Sequence, residues 1–248
     1  AQYLEDINQW DLSDTGRYDF ASLNESDKDM LFKYSDSFLT DIYAKAQSKN
    51  KCNGYRAGGL YIEPFDSFKP FFQKYGIKYE FSVVPGEKKT GEKLFYDFTQ
   101  CPADRPYSFS ENPTVESVQG GFIEFPITKI KIIGLTKILN SLYFRITKNR
   151  FGQSISGDGV PIKKSFRKSH SKRTVGRYMY MEMAMSAELL NPVLMHLYKD
   201  TCQKNQYIHL MSHPKLVSVM NLKCFNDLLK FCTGEFDTEY DITKICDK

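Results

Sequence analysis

The sequence predicts an α/β fold built on a parallel sheet. Three observations carry that expectation. Residues 55–84 read strand, helix, strand, the order in which a helical crossover returns the chain to a parallel neighbour. Two further period-two stretches, 122–127 and 177–185, are each followed by apolar residues at helical spacing. The chain has 248 residues, 41% hydrophobic and 15% aromatic, enough to bury a sizeable core in one large domain or two small ones.

Residues 1–21 are irregular in pattern, with Trp10, the only tryptophan, expected as a packing anchor. Residues 24–48 read as an amphipathic helix. Ser22 with Glu25 fits a capping box, Asn24 is an alternative N-cap, and Leu31, Tyr34, Phe38, Ile42 and Ala46 recur at spacings of three and four to form the expected buried face. A short strand ends at Tyr55-Arg56-Ala57, and Gly58-Gly59 make the turn after it. A second helix is expected over 66–75, with Asp66 as N-cap, Pro70 in its first turn and Gly76 closing it. Its row of Phe65, Phe68, Phe71, Phe72 and Tyr75 reads as core. Residues 78–84 follow as a strand, and 85–89 as a polar turn.

Residues 95–113 read as a long loop rich in proline and aromatics, a length that in compact domains tends to carry function. Asp97, between Tyr96 and Phe98, is a candidate polar group in an aromatic cleft or a solvated loop residue. In the strand at 122–127, Ile123, Phe125 and Ile127 share a face. A helix is expected over 129–146, apolar at Ile130, Ile133, Ile138, Leu139 and Leu142, although Gly134 weakens it. The strand at 177–185 alternates Met179, Met181, Met183 and Met185 with Tyr178, Tyr180, Glu182 and Ala184. A helix over 187–203, a strand over 207–213 and a helix capped by Asn221 complete the chain before an acidic tail.

The net charge of +4 is mild, but its distribution is not. Residues 145–177 hold ten Lys or Arg against one acid, Asp158 in Gly157-Asp158-Gly159, so the remainder is net acidic. Such an insertion is either a solvated loop or a surface for an anionic partner, such as nucleic acid, a phosphorylated carrier lipid or an acidic glycan. No apolar run reaches membrane-spanning length, and residues 1–6 have no signal-peptide pattern. The six cysteines form no C-x-x-C pair; a cytoplasmic protein with reduced thiols is the expectation.

Among candidate reacting groups, Arg56 lies in Gly54-Tyr55-Arg56-Ala57-Gly58-Gly59-Leu60, three glycines in seven positions. An arginine in such a bend points at a carboxylate or phosphate, because its planar fork binds oxygens in pairs. His213, in Leu210-Met211-Ser212-His213-Pro214, closes a predicted strand, where reacting groups of α/β sheets collect, and a histidine there serves as a general acid near neutral pH. The two stretches are expected at the mouth of one site. Two surface loops are the plainer alternative.

Taken together, several segments resemble the metal-dependent polysaccharide deacetylases of the distorted β/α-barrel type, in the branch found in bacterial cell-surface polysaccharide gene clusters. They are Tyr55-Arg56-Ala57-Gly58-Gly59, Gly76-Ile77-Lys78-Tyr79 through Ser82-Val83, Phe95-Tyr96-Asp97-Phe98 with Pro106-Tyr107, Ile123-Glu124-Phe125-Pro126-Ile127, Gly157-Asp158-Gly159, and Leu210 to Lys215. The resemblance covers about residues 10–232. It implies a single deacetylase-like domain with a basic insertion at about 145–177. It also implies hydrolysis of an N-acetylated sugar or polysaccharide precursor with zinc or a similar divalent metal. Arg56 would match the Arg that orients a catalytic Asp, and His213 the acid that protonates the leaving amine. Tyr96, Asp97, Tyr107 and Asp158 would line the substrate cleft. The family's Asp-Asp pair and its His-rich metal motif do not occur before Arg56, so no metal ligand is identifiable. The barrel is then expected to be incomplete, as the later part of a longer protein or as a member without its metal site. A glycan-binding domain on the same fold, or an anion-binding one using 145–177, is the alternative.

Overall fold

A computed structural model describes residues 2–4, 9–11, 20–48, 51–90, 95–103, 105–132, 134–151, 178–180, 190–212 and 217–239. The architecture is mixed α/β, and among the described residues no sheet closes into a barrel. The chain divides into two compact units. The first comprises Ala1–Pro102 with Tyr107–Phe125, and the second Ala103–Pro106 with Pro126–Lys248.

The first unit begins with an antiparallel pair, β1 (Gln2–Leu4) and β2 (Gln9–Asp11), followed by helix α1 (Glu25–Lys45). Asn24, not Ser22, caps α1: its side chain accepts from the Asp27 N–H at 2.8 Å. The buried face also differs from the expected one. Lys28 and Phe32 are buried, whereas Leu31, Tyr34, Phe38 and Ile42 are exposed. Phe32 sets this rotation, because its ring stacks on Phe71, Tyr75 and Tyr55 at centroid distances of 5.4–5.7 Å. Asp29 ties the same face down, accepting from Lys74 Nζ at 2.6 Å and Tyr75 OH at 2.8 Å.

The expected strand–helix–strand unit forms as β3 (Gly54–Tyr55), α2 (Lys69–Tyr75) and β4 (Tyr79–Glu80), with β3 parallel to β4. Helix α2 starts later than expected: Phe68 stands at the N-cap, and Asp66 lies in a preceding 3-10 turn over Phe65–Ser67. Gly76 closes α2 in the left-handed region, as its position suggests. The aromatic row of this segment is core: Phe68 and Phe72 are fully buried and Phe65 and Phe71 nearly so.

The expected polar turn and long loop contain paired backbone. Strand β5 (Lys88–Lys89) pairs antiparallel with β6 (Tyr96–Asp97), and β7 (Tyr107–Phe109) pairs antiparallel with β8 (Phe122–Glu124). Strand β8 is parallel to β4, giving a four-stranded sheet in the order β3-β4-β8-β7. Gly120 permits the close return before β8, since a Cβ there would sit 2.3 Å from the Phe109 carbonyl oxygen.

The second unit opens with β9 (Lys129–Lys131), paired antiparallel to β10 (Tyr178–Tyr180), where a helix was expected. Helix α3 (Gly134–Phe151) begins only at Gly134 and buries Thr136 and Asn140, leaving Ile138, Leu139 and Leu142 exposed. Helices α4 (Met195–Lys204) and α5 (Val219–Glu235) close the core around Ile130, Leu190, Leu194, Tyr198, Cys224 and Leu228. Ser218, not Asn221, is the N-cap of α5; Asn221 is the reciprocating partner of a capping box. Residues 207–212 form no strand beyond a bridge at Met211. The expected strand through 181–185 and the basic segment beyond Phe151 lie outside the described residues. No helix among the described residues is long and apolar enough to cross a membrane.

Candidate functional site

The carboxyl ends of three neighbouring parallel strands bring together segments far apart in the chain. Strand β3 runs into Arg56-Ala57-Gly58-Gly59, β4 into Phe81-Ser82-Val83, and β8 into Phe125-Pro126. In open α/β sheets this end of the strands is where ligands and reacting groups gather. At its centre lie two acids that alternation and burial place on one face: Glu80 and Glu124 are register partners on β4 and β8, and both are fully buried.

Their partners can be enumerated. Glu80 accepts two hydrogen bonds from Ser82, one from the backbone N–H at 2.8 Å and one from the hydroxyl. The Ser82 Oγ in turn accepts the Ala57 N–H at 2.7 Å. Glu124 Oε1 accepts the Val83 N–H at 3.1 Å, while Oε2 is buried and accepts no hydrogen bond from the described residues. Burial raises both carboxyls, and the neighbouring Glu80 raises Glu124 well above the usual carboxylate range. The surrounding titratable groups are acids as well. Tyr55 on β3, Tyr107 on β7 and the Cys101 thiol are each pushed up by burial, Cys101 to about 12.

The turn that follows β3 is strained. Gly59 has φ 62°, which glycine takes freely, but Leu60 has φ 71° while buried at 8% exposure. Gly54 packs closely: a Cβ there would come within 2.8 Å of the half-buried Phe81 ring, which would have to shift. Arg56 itself is exposed at this strand end.

Of the remaining expected residues Tyr107 lies beside Glu124 as its register partner on β7, whereas Tyr96 and Asp97 stand apart on the β5–β6 pair. Asp97 is half-exposed on the β5–β6 pair; Lys88 Nζ donates to its Oδ2 at 2.6 Å and Thr99 Oγ1 to its Oδ1 at 2.6 Å. These contacts pull its carboxyl down to about 2. Its backbone N–H donates to Glu63 at 2.7 Å. Tyr96 is interior, stacked on Phe98 at 4.5 Å, and the Tyr107 hydroxyl donates to the Pro113 carbonyl at 2.5 Å. His213 and Asp158 lie outside the described residues. Among the described residues no three His, Cys, Asp or Glu side chains converge to hold a metal ion. The first unit also has two grooves, of about 240 and 450 Å3, and neither is lined by Arg56, Glu80 or Glu124.

Sequence reasoning passed over Glu80 and Glu124 as functional residues, although both stand within quoted segments. The available signal was a carboxylate flanked by apolar residues in two short strands, Tyr79-Glu80-Phe81 and Ile123-Glu124-Phe125. Such an acid faces either solvent or a buried partner, and strand register alone decides which. Searches against family models, curated proteins and solved structures find no match to this chain.

Proposed function

We propose that this chain is a hydrolase domain of the polysaccharide-deacetylase kind, acting on an N-acetylated sugar or a polysaccharide precursor. One observation supports the reading most. Three of the segments that carry the resemblance, around Arg56, Ser82 and Glu124, meet at the carboxyl ends of adjacent parallel strands although they are far apart in sequence. In this reading Arg56 stands at the mouth of the site and orients an anionic group by its paired N–H donors. His213 supplies the proton for the leaving amine. The metal that the resemblance implies finds no ligand set among the described residues, and the roles assigned here involve this chain's own side chains only.

The test is acetate release from acetylated glycans by the full chain, with and without added zinc or cobalt. The expected result is release that falls at least a hundredfold in Arg56→Ala and in His213→Ala, as for loss of one positioning or acid–base group. No acetate from any acetylated glycan overturns the reading. Glycan binding that survives His213→Ala and chelation, without turnover, would assign a glycan-binding domain instead.

A further inference from the structure

We propose that Glu80 and Glu124 are positioning residues, a hydrogen-bonded carboxyl pair that holds the Arg56–Gly59 turn in place through Ser82. The pair is an unusual thing to bury. Two carboxylates side by side in a dry interior cannot both be ionised, and neither forms an ion pair with a basic side chain among the described residues. The hydrogen bonds say where the single proton resides. Glu80 receives two donors from Ser82, the environment of an ionised carboxylate. Glu124 receives one donor at Oε1 and none at Oε2, so Oε2 is the atom that carries the proton and turns it toward Glu80. The titratable groups facing the pair, Tyr55 from β3, Tyr107 from β7 and Cys101 from the preceding loop, are held neutral by burial and offer no compensating positive charge.

The consequence reaches the turn by a continuous path. Glu80 orients the Ser82 hydroxyl, whose oxygen accepts the Ala57 N–H at 2.7 Å. Ala57 is buried and follows Arg56 directly, and the strained Leu60 closes the same turn. A conformation that costs energy persists only when its surroundings over-determine it. Removing the shared proton would place a second negative charge against Glu80, part the carboxyls and release Ser82. The effect on Arg56 rests on the hydrolase reading; the effect on Ala57 does not.

Two measurements on the full chain test this. At neutral pH the infrared spectrum should hold a carbonyl stretch of a protonated carboxylic acid that is absent from Glu124→Gln. The hydrogen-exchange protection of the Ala57 amide should fall about tenfold as rising pH deprotonates the pair, the loss of one hydrogen bond, and should stay flat in Glu124→Gln. If Glu124→Gln does not fold, Ser82→Ala serves: Ala57 should lose protection and its pH response while the carboxyl band remains. An infrared spectrum unchanged by Glu124→Gln, or equal pH responses of Ala57 with and without the substitution, overturns the proposal. Ala57 responding as expected in a chain that releases no acetate supports the clamp and counts against the hydrolase reading alone.

Discussion

The two units differ in the charge of the polar groups that they bury. In the second unit the buried polar side chains are neutral hydroxyls and amides, and the amides are paired. Asn191 Nδ2 donates to Asn140 Oδ1 at 3.0 Å, Asn221 Nδ2 donates to the Leu190 carbonyl at 2.9 Å, and Ser218 and Asn221 satisfy each other at the start of α5. The buried hydroxyl left over among the described residues there is Ser212 Oγ, next to His213. In the first unit Lys28, Ser82 and Thr114 are buried as well, but the two fully buried carboxyls, Glu80 and Glu124, lie side by side under a dense set of aromatic rings, and one carboxyl oxygen accepts no hydrogen bond. Amides that pair atom for atom hold elements together with no dependence on pH. Acids in the same situation make the local structure depend on a proton, so a stable fold tolerates them where position matters more than stability.

The largest test of this contrast removes the aromatic support. Phe72 is fully buried and meets Phe32, Tyr55, Phe65 and Phe122 at 5.1–6.2 Å. Phe72→Ala should destabilise the first unit by about 3–5 kcal/mol in denaturant titration. Ring-current-shifted resonances of that unit's core report the transition. The counterpart in the second unit is Asn221→Ala, which removes a capping partner and the donor to Leu190. A loss of about 2 kcal/mol, constant from pH 5 to pH 8, is expected. A marked pH dependence there would erase the distinction between the units.

The third test is pH itself. Glu124 has its carboxyl raised in the folded chain above the ordinary value of 4.5, so the folded state binds the proton more tightly than the unfolded one. Its contribution to stability is complete below pH 4.5 and is lost as pH rises through the folded value, at up to about 1.4 kcal/mol per pH unit. Thermal melts should show this slope in the parent chain and not in Glu124→Gln. The smallest effect has the opposite sign. Asp97 is held down to about 2, mainly by Lys88 and Thr99, so its contribution is present above 3.8 and lost as pH falls toward 2. Lys88→Ala should move the Asp97 titration, followed by NMR, part of the way back to 3.8, with little change in stability because the pair is exposed.

Much of the local structure was legible in the residues. Proline and glycine place the ends of α2, and the strand–helix–strand order around it predicts the parallel pairing of β3 and β4. The glycine-flanked Arg56 does lie at a strand end. Helix faces were less legible. In α1 the row Leu31, Tyr34, Phe38, Ile42 is the more apolar one, yet the face of Phe32, which also carries Lys28, Asp29, Ser35 and Asp36, turns inward, because the ring partners of Phe32 decide. In α3 the buried side is polar, Thr136 and Asn140, because Asn191 offers Asn140 a partner that no periodicity reveals.

By itself, then, the sequence determines where elements start and stop, since caps, turns and breakers act through residues next to one another. The carboxyl pair belongs to the other category. Glu80 and Glu124 are 44 positions apart in the sequence, and in isolation each is an ordinary acid in a short strand. Only the register of β4 against β8 sets them side by side and away from water, and only there does a single proton bind them and the Arg56 turn into one unit.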